Sequence, residues 1–545
     1  MFHKDDIIKK IYIVGFITIS VIFLSTKLRA QHLIYHDIKV DKNGHIISWY
    51  SENSGRSYDH VINLVWNFWD TIRLDMNGVP YHMNHQVWKE NINDQRGIGG
   101  DQIQMALSSW ALLYAYTGNQ RIIENMKFMA DYYLTHSLSP PDCKWPDIPY
   151  PYNTYIYSGI YDGDMIFGKG YTQPDKAGSL GIELITLYKI TGLRNYLNAA
   201  IRIANTLAVN VKKGDNDNSP LPFKVHTTTG EFGKLYDWKA EKEQGFSIYT
   251  TNWTGTMRLF TELIKMNKGN VDNYKSAFDV FIDWMKEYPI KTNKWGPFFE
   301  DVHGWSDTQI NAVTFAQYIM ENRELFPDWQ SQVREILDWV YDRLGNREWE
   351  QYGVIVVNEQ TAYEVPGNSH SSRQASIELL YSKLTGDNTW KDNAIRQLNW
   401  ATYMVDVDGK NCYPRNQIWM TDGYGDYIRH FLRAMAYEPE LAPDDAIHLL
   451  STTSVIKSIE YVTQPVIADE NSDEVLLFYR TYDGFSVEDI RLMAKPGRVM
   501  ADGKSLNEVN SIETDGWNWR PLKKGGVLTI KHETAKEIKV LKLKY

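Results

Sequence analysis

Leu113-Tyr114-Ala115-Tyr116-Thr117-Gly118, Leu187-Tyr188-Lys189-Ile190-Thr191-Gly192 and Leu380-Tyr381-Ser382-Lys383-Leu384-Thr385-Gly386 share one short pattern, L-Y-x-x-T-G, with one extra residue before the Thr of the third. Each closes a stretch of helical period, and its Gly can take the left-handed conformation that ends a helix. A second amphipathic stretch follows each copy, beginning near Asn119, Leu193 and Asn388. These are helix hairpins, and their recurrence marks a repeat architecture. Weaker hairpin tips at Asn267-Lys268-Gly269 and Phe326-Pro327 fill the interval between the second and third copies.

Working outward from these tips, the first members of the hairpins fall near 101–117, 175–191, 250–267, 306–324, 371–385 and 425–437. The second members fall near 119–136, 193–212, 270–288, 327–344 and 388–404. Six first members thus face five second members. A helix from Tyr58 to Ile72, with Val61, Val65, Trp66 and Trp69 on one side, supplies the sixth if the chain closes on itself. The expected fold is mainly α, an (α/α)6 toroid over 31–439 with first members inside and second members outside. An open helical solenoid is the competing arrangement, because hairpins also stack in that way. The connections between hairpins are long and emerge on one face, beside the inner-helix N-termini whose N–H groups favour anions. After Glu438-Pro439 the pattern changes to period-two runs, such as Val475 to Tyr479 and Glu537 to Tyr545. Residues 440–545 therefore read as an antiparallel β-sandwich-like domain.

A hydrophobic content of 43% over 545 residues excludes disordered and low-complexity classes. The net charge of −10 excludes a whole-protein basic footprint for nucleic acid. Cys143 and Cys412 are too few for a disulfide scaffold or a cysteine-based zinc site. Lys9 and Lys10, the apolar run Ile11 to Ser25 and Leu28-Arg29-Ala30 read as an export signal over residues 1–30. That run is too short for a comfortable membrane span. The mature chain is expected to be exported, periplasmic or secreted, with no stable membrane insertion.

Most of the chemistry-bearing side chains crowd the loop-to-helix junctions. Acid–base candidates there are His226, His303 and His370 with Tyr171, Tyr424 and Arg373. Asn368, Lys176 and Arg415 are candidates for holding a carboxylate, with Trp253, Trp305 and Asp301 as further substrate contacts. Five Trp in or beside these loops, Trp145, Trp253, Trp295, Trp305 and Trp419, suit sugar rings, which offer C–H bonds on one face and hydroxyls at the rim. Asp101, Asp175, Asp307 and Asp426 have an equally good reading as helix N-caps. His82 and His85 lack a third ligand at metal-site spacing, and no dinucleotide, Walker or G-x-S-x-G motif occurs in a fitting context, so neither metal nor cofactor is expected.

Two reactions suit a saccharide cleft built from these residues. Hydrolysis needs paired carboxylates, for which Asp162, Asp164, Glu300, Asp301 and Asp422 are eligible. β-Elimination on a uronic acid needs a base for the acidic C5 proton, a cation or amide for the enolate, and an acid for the leaving oxygen. The His, Tyr, Arg and Asn supply favours elimination. A non-catalytic glycan-binding protein is the third reading. On its helical-hairpin repeat and β tail, the chain resembles exported carbohydrate-active enzymes with an (α/α)6 toroid followed by a β domain. Among them it looks most like the lyase and oligosaccharide-dehydratase proteins that act on uronate-rich marine polymers such as ulvan. It differs from the unsaturated uronyl hydrolases of the same fold, since no R-G-N-G-W segment is found. The resemblance implies an oligosaccharide or polysaccharide substrate and a carbon–oxygen lyase or 4,5-dehydratase reaction.

Overall fold

The computed structural model describes residues 32–33, 35–84, 99–155, 158–237, 242–246, 248–299, 304–411, 414, 421–462 and 474–542. The export signal expected over 1–30 lies outside them, as does Cys412. Among the described residues, no helix is long and apolar enough to cross a membrane.

Among the described residues, twelve helices of at least 12 residues run in sequence order. They are α1 (Ser54–Asp70), α2 (Asp101–Thr117), α3 (Gln120–His136), α4 (Pro174–Thr191), α5 (Arg194–Asn210) and α6 (Thr254–Met266). Then follow α7 (Val271–Glu287), α8 (Gln309–Glu321), α9 (Trp329–Leu344), α10 (Asn368–Thr385), α11 (Lys391–Thr402) and α12 (Thr421–Tyr437). The even-numbered helices form the inner ring: α2 packs on α4, α4 on α6, α6 on α8, α8 on α10, α10 on α12, and α12 closes on α2. Each inner helix pairs with an odd-numbered outer one, and α1 completes the set by packing on α12 and α11. The contact between α12 and α2 overturns the open solenoid. A closed ring leaves no end repeat that would have to be capped against water.

The recurring tips have a physical basis in one threonine. Gly118, Gly192 and Gly386 end their helices with φ of 72°, 76° and 78°. One residue earlier, the Thr hydroxyl donates to a carbonyl four residues back: Thr117 to Leu113 at 2.9 Å, Thr191 to Leu187 at 2.7 Å and Thr385 to Tyr381 at 2.7 Å. The same oxygen then accepts the N–H of the residue after the Gly, at 3.2, 3.2 and 3.1 Å. Thr and Gly together therefore satisfy groups that a helix end leaves open and aim the chain into the outer helix. Counting back from the Thr, Tyr381 stands where Leu113 and Leu187 stand, so the extra residue of the third copy does not disturb the clamp.

Inner helices cross most closely where glycines meet small polar residues. A Cβ on Gly178 of α4 would lie 1.9 Å from Thr256 Oγ1 of α6, and one on Gly255 would lie 2.3 Å from Ser179 Oγ. The core is continuous from the ring into the C-terminal strands.

The connections on the mouth face carry short strands, among them β1 (Tyr171–Thr172), paired with β2 (Val225–His226), and β3 (Val356–Gln360). The C-terminal strands are β4 (His448–Thr452), β5 (Ile456–Tyr461), β6 (Glu474–Thr481), β7 (Ser486–Leu492), β8 (Arg498–Ala501), β9 (Lys504–Leu506), β10 (Gly516–Pro521), β11 (Gly526–His532) and β12 (Glu537–Lys542). They form a four-stranded sheet ordered β4-β7-β11-β10 and a five-stranded sheet ordered β5-β6-β12-β8-β9, antiparallel in both. Strands β4 and β5 sit under the closed end of the ring. There His448 stacks on Tyr116 with ring centroids 3.8 Å apart, and its Nδ1 lies 3.0 Å from the Tyr116 carbonyl. Tyr461 donates its hydroxyl to the Ala115 carbonyl at 2.6 Å. The sandwich thus supplies donors for the last carbonyls of α2, which a helix cannot satisfy by itself.

Candidate functional site

The opposite end of the ring gathers the N-terminal turns of the inner helices. Residues Asn368 to Gln374 of α10 are all buried, an unusual state for a run of Asn, Ser, His and Arg. Gln309, which begins α8, explains part of it: its Nε2 donates to the His370 carbonyl at 3.2 Å, and its Oε1 accepts from Arg373 Nη1 at 2.7 Å. The second edge of the Arg373 guanidinium pairs with Asp426 of α12. Asp426 also accepts from Arg429, and its Oδ1 lies 3.0 Å from His430 Nε2. Asp426, Arg429 and His430 share one side of α12 through spacings of three and four residues.

This arrangement fixes the tautomer of His430. Burial, and then the charges of Arg373, Arg429 and Arg433, hold its imidazole well below the ordinary histidine range. His370 is held down in the same sense by burial and then by Arg373. Both rings are therefore neutral. A carboxylate only accepts hydrogen bonds, so the single proton of His430 sits on Nε2. That leaves Nδ1 with a lone pair, and among the described residues it has no hydrogen-bond partner.

Two further buried acceptors near the inner-helix N-termini share this condition. Gln104 Oε1 in the first turn of α2 and Asp175 Oδ1 in the first turn of α4 have no partner among the described residues. The other oxygen of Asp175 accepts from Asn252 Nδ2 at 2.9 Å and Lys176 Nζ at 3.1 Å. Lys176 also donates to the Phe298 carbonyl at 2.8 Å and lies 3.2 Å from the Phe298 ring centroid. Phe298 packs with Met105, Ile310 and Phe299, and Phe299 meets His370 edge-on at 6.1 Å. Buried polar atoms are normally paired. Unpaired ones on α2, α4 and α12 at one end of a ring suit a polar ligand that would complete them.

The sequence-derived candidates divide into several groups. His370 and Arg373 come together with Gln309, Asp426 and His430. Asn368 bonds to Asn411 and to the Ser369 N–H, and Lys176 is tied to Asp175. His226 and Tyr171 form a second group across β1 and β2, with rings edge-on at 5.1 Å. His226 Nδ1 accepts the N–H groups of Thr228 and Thr229, so its Nε2 carries the proton. It lines a recess of about 560 Å³ with His136, Tyr150, Asp162 and Lys169, to which α10 and α12 contribute none of the described residues. His303, Asp301 and Arg415 lie outside the described residues, as do Glu300, His85 and Trp419, and Tyr424 is described only as part of the α12 backbone.

Several expectations need correction. Trp253 is not an open platform: it is fully buried, packs on Phe281 at 5.1 Å and donates Nε1 to the Thr250 carbonyl at 2.7 Å. Trp145 and Trp295 are core residues too. Trp305 spends its N–H on Asp307 at 3.1 Å and leans on Tyr249 at 5.1 Å. Asp175, Asp307 and Asp426 do not cap their own helices; Asp307 instead accepts the N–H groups of Trp295 and Gly296. Asp164 is enclosed by Lys224, Gln173 and the N–H groups of Ile166 and Phe167, while Asp162 accepts from Thr154 twice. Both hold their loop together, which takes two carboxylates from the hydrolase reading. His82 is a core residue stacked on Trp69, its ring pushed down to about 3 by burial.

His430 and Gln309 escaped the sequence reading because both lie inside helical pattern, where a polar residue looks like an exposed position. The Asp426-x-x-x-His430 spacing was the available signal.

No protein-family model matches the chain. Sorting nexin-41 of Candida albicans is 25% identical over 138 residues, which cover 22% of this chain and 20% of that protein, so the chain spans about a fifth of that relative's length. Solved structures share the toroid. A sugar epimerase from a ruminal bacterium has a TM-score of 0.53 at 13% identity, covering 71% of this chain and 98% of that one. Cellobiose 2-epimerase from Spirochaeta thermophila has 0.52 at 11% identity, covering 70% and 96%. A D-mannose isomerase has 0.51 at 8% identity, covering 72% and 99%. At such identities the likeness concerns the fold: this chain is an (α/α)6 toroid with additional residues beyond the shared ring.

Proposed function

We propose that the chain is an exported carbohydrate-active enzyme that removes a proton from a sugar carbon next to a carboxyl group, acting on uronate-containing oligosaccharides such as those of ulvan-like polymers. One observation carries the reading: His430 is a neutral, buried base with a free lone pair on Nδ1, and the carboxylate that sets its tautomer, Asp426, also holds the Arg373 guanidinium. The proton on C5 of a uronate is acidic because its electron pair can spread into the carboxyl group. In the proposed step His430 Nδ1 takes that proton, the C4=C5 bond forms and the C4–O bond breaks. The proton then leaves on the departing oxygen, as water from a dehydratase or on the new reducing-end hydroxyl of the released sugar from a lyase. Asp426 stabilises the imidazolium formed on the way, and Arg373 offsets charge gathering on the carboxyl oxygens. General-base catalysis of this kind supplies roughly 10²–10⁴ in rate.

A second reading starts with the same proton abstraction. Two neutral imidazoles, His370 on α10 and His430 on α12, suit removal of a proton from one face of a carbon and its return to the other, and proteins sharing the toroid include sugar epimerases. Incubation with uronate and neutral oligosaccharides in D2O separates the two. Elimination gives the ultraviolet absorbance of a conjugated alkene-carboxylate, with loss of water or of a sugar. Epimerisation gives deuterium at the carbon whose configuration inverts, without an alkene. New reducing ends formed with uptake of water, or sugars left intact, would overturn both.

A further inference from the structure

Below the mouth, the axis of the ring carries a second charged cluster. Arg258 of α6 lies 2.6 Å from Glu321 of α8, and Gln317 donates to the same carboxylate at 2.7 Å. Arg429 is paired with Asp426. Arg433, one turn further along α12, has no carboxylate within ion-pair distance among the described residues; its described hydrogen bond is a long one, 3.4 Å to Gln317 Oε1. Its surroundings are cationic. Burial, then Arg429, pushes its guanidinium down to about 10, and burial pushes the nearby Glu183 carboxyl up to about 7. At neutral pH, then, the three guanidinium groups outweigh Asp426, Glu321 and a half-ionised Glu183. An enclosed cation without a counter-ion is costly, and proteins normally pair such groups.

Arg433 is not packed away, however. With Gln317 and Glu321 it lines the polar end of a cavity of about 530 Å³ between the C-terminal halves of the inner helices and the 449–456 segment of the sandwich. The rest of the wall is largely apolar, including Leu112, Ala115, Ile190, Leu432, Leu450 and Ile456. An apolar pocket with one well-placed charged group is the usual form of a small-molecule site. We propose that this cavity, at the far end of the ring from the mouth, binds a small organic anion whose carboxylate pairs with Arg433 and whose apolar body lies against the leucine and alanine wall.

The test uses the full chain and benzoate as probe, with sodium sulfate as a second probe, followed by titration calorimetry. Benzoate should bind at one equivalent per chain with a Kd of about 1 mM or tighter. Arg433→Gln should weaken it by at least about tenfold, as expected for loss of a charge-assisted pair. Ala115→Phe, which keeps the arginine and fills the cavity from its wall, should abolish it, so the outcome does not depend on the folding of one variant. Benzoate binding that survives either change in a folded variant, or no binding at about 1 mM, overturns the proposal. Sulfate binding as tightly as benzoate overturns the organic part of it, leaving a plain inorganic-anion site.

Discussion

His430 in the ring and His532 in the sandwich are both buried histidines next to a carboxylate, with Nε2 3.0 Å from Asp426 in one and 3.2 Å from Glu488 in the other. Their imidazoles are shifted in opposite directions. Asp426 is shared with Arg373 and Arg429, so little of its negative charge is left for the imidazole, and burial with three nearby arginines keeps His430 neutral. Glu488 accepts otherwise from hydroxyls, those of Ser486, Thr452 and Tyr479, and its undivided charge outweighs burial. The His532 imidazole is consequently pushed up, and its Nδ1 lies 2.8 Å from the Gly484 carbonyl. Contact with a carboxylate therefore does not determine what a histidine does. The other partners of the carboxylate determine it, making one ring a base in waiting and raising the proton affinity of the other.

The comparison breaks most visibly in activity. His430→Ala should lower kcat by roughly 10²–10⁴-fold, whereas His532→Ala should leave kcat within about twofold and lower the melting temperature. Steady-state assays on uronate oligosaccharides, run beside thermal melts, would show the reverse pattern if the roles were misassigned.

Removing the carboxylates comes next. Asp426→Asn leaves Arg373 and Arg429 without their counter-ion inside the ring and loses the acceptor that sets the His430 tautomer. Both activity and stability should fall, the latter by about 3–5 kcal/mol as for other broken buried pairs. Glu488→Gln should cost stability alone, roughly 1–3 kcal/mol, since the hydroxyl network keeps a neutral acceptor. Chemical denaturation of the two variants measures the difference.

The pH dependence of stability should differ in sign between the two regions. The raised His532 value means a contribution fully present below the unfolded value of 6.5 and lost as pH rises through the higher folded value. The depressed His370 and His430 values mean a contribution present above 6.5 and lost as pH falls. Melting curves across the range should therefore lose their alkaline fall in His532→Gln and part of their acid fall in His430→Gln. An unchanged alkaline limb in His532→Gln would show that another group is responsible.

The two halves of this contrast were unequally legible in the sequence. The ring was readable because its tips are local: Thr117, Thr191 and Thr385 clamp carbonyls four residues away, and such a device repeats as a string of letters. Asn368, His370, Arg373 and Lys176 were readable because they begin helices after long loops. His430 was not, since its meaning depends on Asp426, Arg373 and Arg429, one of them on a different helix, and on burial that the sequence alone does not give. Trp253 misled for the same reason: an aromatic beside a loop reads alike whether its faces are open or covered. The His532 and Glu488 pair comes from strands β11 and β7, whose pairing is a tertiary fact.

The smallest expected effect tests which partners let Glu488 act on His532. Thr452 donates its hydroxyl to Glu488 Oε1 at 3.1 Å from the neighbouring strand β4. Thr452→Val removes that donor while keeping the volume, and a hydrogen bond to a carboxylate is worth about 1.5–3 kcal/mol. The melting temperature should drop by a few degrees, the alkaline limb should keep its shape, and kcat should not change. A flattened alkaline limb in Thr452→Val would mean that the hydroxyls, rather than the absence of competing arginines, let Glu488 raise His532, and the contrast with Asp426 would then rest on the wrong partners.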